Sequence, residues 1–182
     1  MEYRKNDIVT LEIVDCGTDG EGIGKADGFT VFVKDAVIGD TVTAKIMKAK
    51  KNYGYGRLME ILKPSPYRVD PICPSARQCG GCQLQAVSYE EQKAFKEKKL
   101  RGHLERIGGF KELPMEPLIG MDEPYHYRNK AQFPVGRNKE GRIVTGFYAG
   151  RTHAIIENRD CALGIPQNKE VLDRVIAHME KY

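Results

Sequence analysis

Apolar and polar residues alternate through Val9-Thr10-Leu11-Glu12-Ile13, the two-residue period of a strand with one buried face. The period returns from Phe29 to Lys34, with Phe29, Val31 and Val33 on one side, and again at Val42, Ala44 and Ile46. A fourth alternating run sets Leu58, Glu60 and Leu62 on one face and Arg57, Met59 and Ile61 on the other. Between the first two runs lies a Gly-rich turn, Asp19-Gly20-Glu21-Gly22-Ile23-Gly24. Short strands separated by Gly and Asp turns predict a small closed barrel over residues 1–63. Lys63-Pro64-Ser65-Pro66 marks its boundary, because closely spaced prolines disfavour both helix and central strand.

Beyond the boundary the period changes. Ser88 and Glu91 make a capping-box pattern at the head of a helix over 88–107, with Leu100, Leu104 and Ile107 on one face and Gly108-Gly109 as its stop. Its Lys- and Arg-rich side, partly offset by Glu, reads as a solvated face rather than an RNA contact. Residues 125–157 return to strands. Gly141 to Tyr148 and His153 to Glu157 are expected neighbours, joined through Ala149-Gly150-Arg151. From Gln167 the spacing is helical, with Val171, Leu172, Val175, Ile176 and Met179 on one side. The sequence stops inside this helix at Tyr182, without a capping glycine, which reads as a truncation. Residues 64–182 are therefore expected to form an incomplete α/β (α+β) domain.

With 41% hydrophobic and 30% charged residues, the chain has the composition of a globular protein rather than a disordered one. No apolar run reaches membrane-spanning length, and the first residues lack a secretory signal. The protein is expected in the cytoplasm, without a membrane partner and as a monomer. A net charge of +4 permits a nucleic-acid partner without demanding one.

The cysteines add chemistry. Three of the five lie in Cys73-Pro-Ser-Ala-Arg-Gln-Cys79-Gly-Gly-Cys82, and Cys161 is the candidate for a fourth donor. Gly80 and Gly81 allow a tight turn and leave backbone N–H groups free to face sulfur. Four thiolates suit either tetrahedral zinc or a [4Fe–4S] cluster. Zinc sites usually pair two CxxC units, so this three-plus-one layout leans towards iron–sulfur. Cys16, at a strand end, reads as a small buried hydrophobe. His103, His126, His153 and His178 are scattered without ligand spacing and read as structural; no P-loop or GxSxG pattern occurs.

The barrel also carries Lys25, Lys34, Lys45, Lys48, Lys50, Lys51 and Arg57, with Tyr53 and Tyr55 interleaved. Cations of this kind neutralise phosphates, and tyrosines offer stacking surfaces to unpaired bases. The competing reading has the lysines solvating strand edges and one tyrosine packing in the core.

At this point a family resemblance enters. Asp19 to Gly24, followed by Phe32-Val33-Lys34-Asp35-Ala36-Val37-Ile38-Gly39-Asp40, resembles a TRAM domain, an OB-like RNA-binding barrel. The segment from Cys73 to Gln85, Tyr127-Arg128-Asn129-Lys130, Gly146-Phe147-Tyr148 and Asn158-Arg159-Asp160-Cys161 resemble motifs of the RNA uracil-C5 methyltransferases, in particular the 23S ribosomal RNA type. Ala162 departs from the proline often found after the last cysteine. The resemblance implies a TRAM domain at 1–63, a central domain at 64–182, and a [4Fe–4S] cluster on Cys73, Cys79, Cys82 and Cys161. It implies RNA, of the ribosomal kind, as partner. The family's Rossmann-like methyltransferase domain, with its nucleophile, base and S-adenosylmethionine site, is expected to be absent. No catalytic residue is therefore assigned, S-adenosylmethionine is expected only in a full-length enzyme, and the chain alone is expected to be inactive. A radical S-adenosylmethionine enzyme would carry CxxxCxxC, which does not match the five-residue first gap. The alternative outside enzymology is a standalone RNA-binding protein with a structural zinc.

Overall fold

The computed structural model describes residues 3–150 and 152–182, so the expected link at Arg151 lies outside the described residues. The chain divides into two compact units, each discontinuous in sequence. One comprises residues 1–70 and 86–119, the other residues 71–85 and 120–182.

The first unit is built on five strands: β1 (Ile8–Cys16), β2 (Gly22–Ala26), β3 (Phe29–Lys34), β4 (Thr41–Ala49) and β5 (Tyr53–Lys63). They close in the order β1-β2-β3-β5-β4, with β3 and β5 parallel and the other neighbours antiparallel. Closure leaves no free sheet edge. Val9, Leu11, Ile13, Val31, Val33, Val42, Ala44 and Ile46 fill the interior, as the alternation in β1, β3 and β4 requires.

Two expectations within the barrel change. Gly22 and Gly24 belong to β2 rather than to a turn, and both are buried. A Cβ on Gly24 would stand 2.6 Å from Leu11 Cδ1 and closer still to the Glu12 carbonyl, so β2 crosses β1 where only glycine fits. In β5 the alternation does not hold. A register shift against β4 places one extra residue between Leu58, opposite Ala44, and Glu60, opposite Thr43. This bulge turns Leu58 and Ile61 to the same side, where both pack on the core, and leaves Leu62 exposed.

The chain after β5 is tied back to the barrel through Asp40. This fully buried carboxylate accepts hydrogen bonds from the N–H groups of Val37 (2.7 Å) and Ser65 (2.8 Å) and from the Arg68 guanidinium (2.5 and 3.1 Å). Arg68 also donates to the Asp35 carbonyl. Gly39, with φ near +90°, makes the turn that aims Asp40 inward.

Helix α1 (Tyr89–Arg106) belongs to this unit and starts as expected, with the Ser88 hydroxyl accepting from the Glu91 N–H. None of its residues is buried: the expected apolar face is open at Leu100 and Ile107.

In the second unit, β6 (Val135–Arg137), β7 (Ile143–Tyr148) and β8 (Ile155–Glu157) form an antiparallel sheet with β7 in the centre. Helix α2 (Gln167–Lys181) packs on β7 and buries Ile176, while Val171, Val175 and Met179 stay exposed. Residues 125–134, expected as strand, are irregular apart from one bridge between Arg128 and Gly164.

Candidate cysteine centre and nucleic-acid interface

Cys73, Cys79 and Cys82 sit on one compact loop. It is coiled by hydrogen bonds from the Ala76 N–H to the Cys73 carbonyl and from the Cys79 N–H to the Ser75 carbonyl. The loop is pinned to the end of β7: the Gly80 N–H donates to the Tyr148 carbonyl at 2.9 Å, and Cys79 bridges Ala149. A Cβ on Gly80 would lie 3.0 Å from that carbonyl and from Gly150 backbone, so close approach requires glycine here. From the other direction, the Asn158 N–H donates to the Thr145 carbonyl and carries the chain past β7 to Cys161.

These two paths bring Cys73, Cys79, Cys82 and Cys161 to the wall of one cavity of about 60 Å³, shared with Gln85 and Asn158. Cys73 is buried and the other three are half-buried. The Gly81 N–H faces the Cys79 sulfur at 3.3 Å. The Asn158 amide faces the Cys73 sulfur at 3.6 Å. Burial, then the three neighbouring thiols, push the Cys82 thiol up, against a hydrogen bond from Gln85. Among the described residues, no three His, Cys, Asp or Glu side chains stand close enough to hold a single metal ion.

Cys16 stands apart. It is half-buried at the end of β1, its thiol pushed up to about 11 mainly by burial, and it donates to the Gly17 carbonyl. It is protonated at neutral pH and a poor nucleophile. The histidines have local contacts: His126 Nδ1 lies 3.0 Å from the Gly164 carbonyl, His153 meets Tyr148 edge to face, and His178 lies tilted against Tyr182.

On the barrel, Tyr53 and Tyr55 both point outward, because Gly54 and Gly56 take the inward positions of β5. A Cβ on Gly56 would meet Val31 and Ala44 at 3.0–3.2 Å, so the core has no room for a larger residue. Neither tyrosine packs in the core. They instead form a three-ring cluster with Phe32, whose centroids are 5.6–5.8 Å apart. Pairing sets cations around the rings: Lys34 and Lys45 flank Arg57, Lys48 lies opposite Tyr55, and Lys25 lies opposite Thr30, itself paired with Tyr53. Lys50 and Lys51 occupy the exposed β4–β5 turn, where the Lys50 N–H donates to the Tyr53 carbonyl. All nine expected barrel residues thus lie on, or at the end of, the surface of β2, β3, β5 and β4.

Sequence reasoning missed Phe32, Gln85 and Asn158 as site residues. Phe32 was detectable as an aromatic at an outward position of β3, between the inward Val31 and Val33. Gln85 and Asn158 carried no signal of their own, because amides near cysteines are common and only the fold aims them at sulfur.

Residues 4–59 match the family model of the TRAM domain, which makes the barrel a TRAM domain. An uncharacterized RNA methyltransferase of Halalkalibacterium halodurans is 44% identical over 172 residues, covering 94% of this chain and 37% of that protein. One from Clostridium tetani is 43% identical over 182 residues, covering 100% of the chain and 38% of that protein. Among solved structures, the Pyrococcus abyssi tRNA (uracil-54, C5)-methyltransferase, in complex with S-adenosyl-L-homocysteine, superposes with a TM-score of 0.61 at 22% identity. It covers 94% of this chain and 37% of that one, a likeness of fold. The chain has homologues among the RNA methyltransferases and spans less than two-fifths of their length.

These matches correct two expectations. The Rossmann-like domain was expected to be absent and the chain inactive. Yet the matches run along 94–100% of the chain within methyltransferases, and the solved one binds the product of the methyl donor. The point at which this sequence stops is therefore no sign that its protein lacks a catalytic domain.

Proposed function

We propose that this chain is the RNA-recognising, cluster-bearing portion of a cytoplasmic S-adenosylmethionine-dependent methyltransferase that forms 5-methyluridine in 23S ribosomal RNA. The observation that carries the reading is the meeting of four thiols, from two distant segments, around one cavity. The donor set fits a [4Fe–4S] cluster, with two amide N–H groups aimed at its sulfurs. A structural zinc would use the same four thiols, and the iron and zinc content of the protein distinguishes the two.

Methyl transfer from S-adenosylmethionine needs no electron, so the cluster supplies a covalent clamp between the cysteine loop and the segment after β8. The remaining work of this chain is binding. Lysines and Arg57 neutralise phosphate, while Phe32, Tyr53 and Tyr55 give unpaired bases an apolar face. Uracil C5 is activated in such enzymes by thiolate addition at C6 and proton removal at C5. No cysteine here takes that role: four are cluster ligands, and the Cys16 thiol holds its proton.

The activity test uses the full protein with labelled S-adenosylmethionine and unmodified 23S ribosomal RNA or transfer RNA. The expected product is labelled 5-methyluridine in the ribosomal RNA; label in transfer RNA alone would reassign the substrate. For the barrel, RNA affinity is expected to fall steeply with salt. Tyr53→Ala or Tyr55→Ala is expected to weaken single-stranded RNA binding by about 1–3 kcal/mol. Unchanged affinity after replacing Lys48, Lys50, Lys51 and Tyr53 together would move the contact surface elsewhere.

A further inference from the structure

The cavity wall holds two side-chain amides whose orientations are set by their own hydrogen bonds. Asn158 Oδ1 accepts from the Asp160 N–H at 3.0 Å, which leaves Nδ2 to face the Cys73 sulfur at 3.6 Å. The Asn158 backbone is held as well, donating to the Thr145 carbonyl at 3.1 Å, and a Cβ on Gly146 would collide with its nitrogen at 2.6 Å. Gln85 lines the same cavity, and its Oε1 accepts from the Cys73 N–H at 3.3 Å, which holds the Cys73 backbone in place.

A thiolate bound to iron carries negative charge, and each added electron increases it. An N–H aimed at sulfur stabilises the more negative, reduced state and so raises the reduction potential. Such a donor also fixes the ligand's direction. We infer that Asn158 is a positioning residue of the cysteine centre, donating N–H to the Cys73 sulfur to set the cluster's potential and its retention. The assignment rests on the cluster reading above.

Asn158→Asp keeps size and shape but removes the donor; Asn158→Leu removes the amide entirely. The full protein is purified anaerobically. Iron content, midpoint potential, the electron paramagnetic resonance of the reduced cluster and iron loss to a chelator are compared with wild type. In the near-isosteric Asn158→Asp variant the potential is expected to move to more negative values, and the cluster signal to shift. Iron retention is expected to weaken by about 10–100-fold, as when outer-shell partners of metal ligands are removed. A leucine variant that does not fold leaves the decision to its near-isosteric counterpart. Iron-loaded wild type that Asn158→Asp matches in potential, spectrum and retention would overturn this assignment alone. Wild type that takes up no iron would overturn the cluster reading and this assignment with it.

Discussion

Asp40→Ala is expected to destabilise the first unit by about 3–5 kcal/mol, because it strands the Arg68 guanidinium and two N–H groups. Burial alone would raise the Asp40 pKa. The Arg68 guanidinium and the N–H groups of Ser65 and Val37 outweigh it and hold the carboxyl below its ordinary value. Its contribution is therefore complete above the unfolded-state value of about 3.9 and fades as pH falls through the lower folded value. Denaturant unfolding of wild type and variant at neutral pH measures the loss, and repeating it under acid should narrow the gap between the two. A neutral-pH loss under about 1 kcal/mol would reduce the clamp to the level of a surface ion pair.

Cys161→Ser is expected to empty the cysteine centre. Cys161 is the one donor that arrives from beyond β8, while the other three share a loop. Anaerobically purified wild type should contain about four irons per chain with matching sulfide, and the variant close to none. Because ligand binding at such a site contributes directly to folding, thermal unfolding of the second unit should come at lower temperature in the variant. Wild type loaded with one zinc and no iron would replace the cluster with a structural zinc site.

The barrel was legible where one physical rule dominates. In β1, β3 and β4, a single buried face forces strict alternation, and Val9 to Ile13, Val31 with Val33, and Val42 to Ile46 display it. The bulge in β5 was not legible, since Met59 is the residue inserted and nothing local marks it. Nor was the strand character of Gly22 and Gly24: glycines read as a turn, and their reason for being small is the close approach of Ala36 and the Ile13 side chain at Gly22 and of the β1 backbone at Gly24. For the cysteine centre, spacing showed three donors and suggested the fourth. The cavity and its two oriented amides depend on contacts between residues far apart in the chain. The direction of Tyr53 and Tyr55 was left open by the sequence; the buried Gly54 and Gly56 turn both outward, and the β3–β5 register sets Phe32 beside them.

The discontinuity of the two units bears on how this protein can be taken apart. The backbone passes between them near residues 70, 85 and 119. No single cut therefore parts the two units cleanly. A nick near 119 leaves the segment bearing Cys73, Cys79 and Cys82 on one fragment and Cys161 on the other, and a nick near 70 separates the barrel strands from α1. Only a nick near 85 gives two fragments that each hold part of both units, and a smaller piece made to isolate one unit must rejoin segments that are distant in sequence.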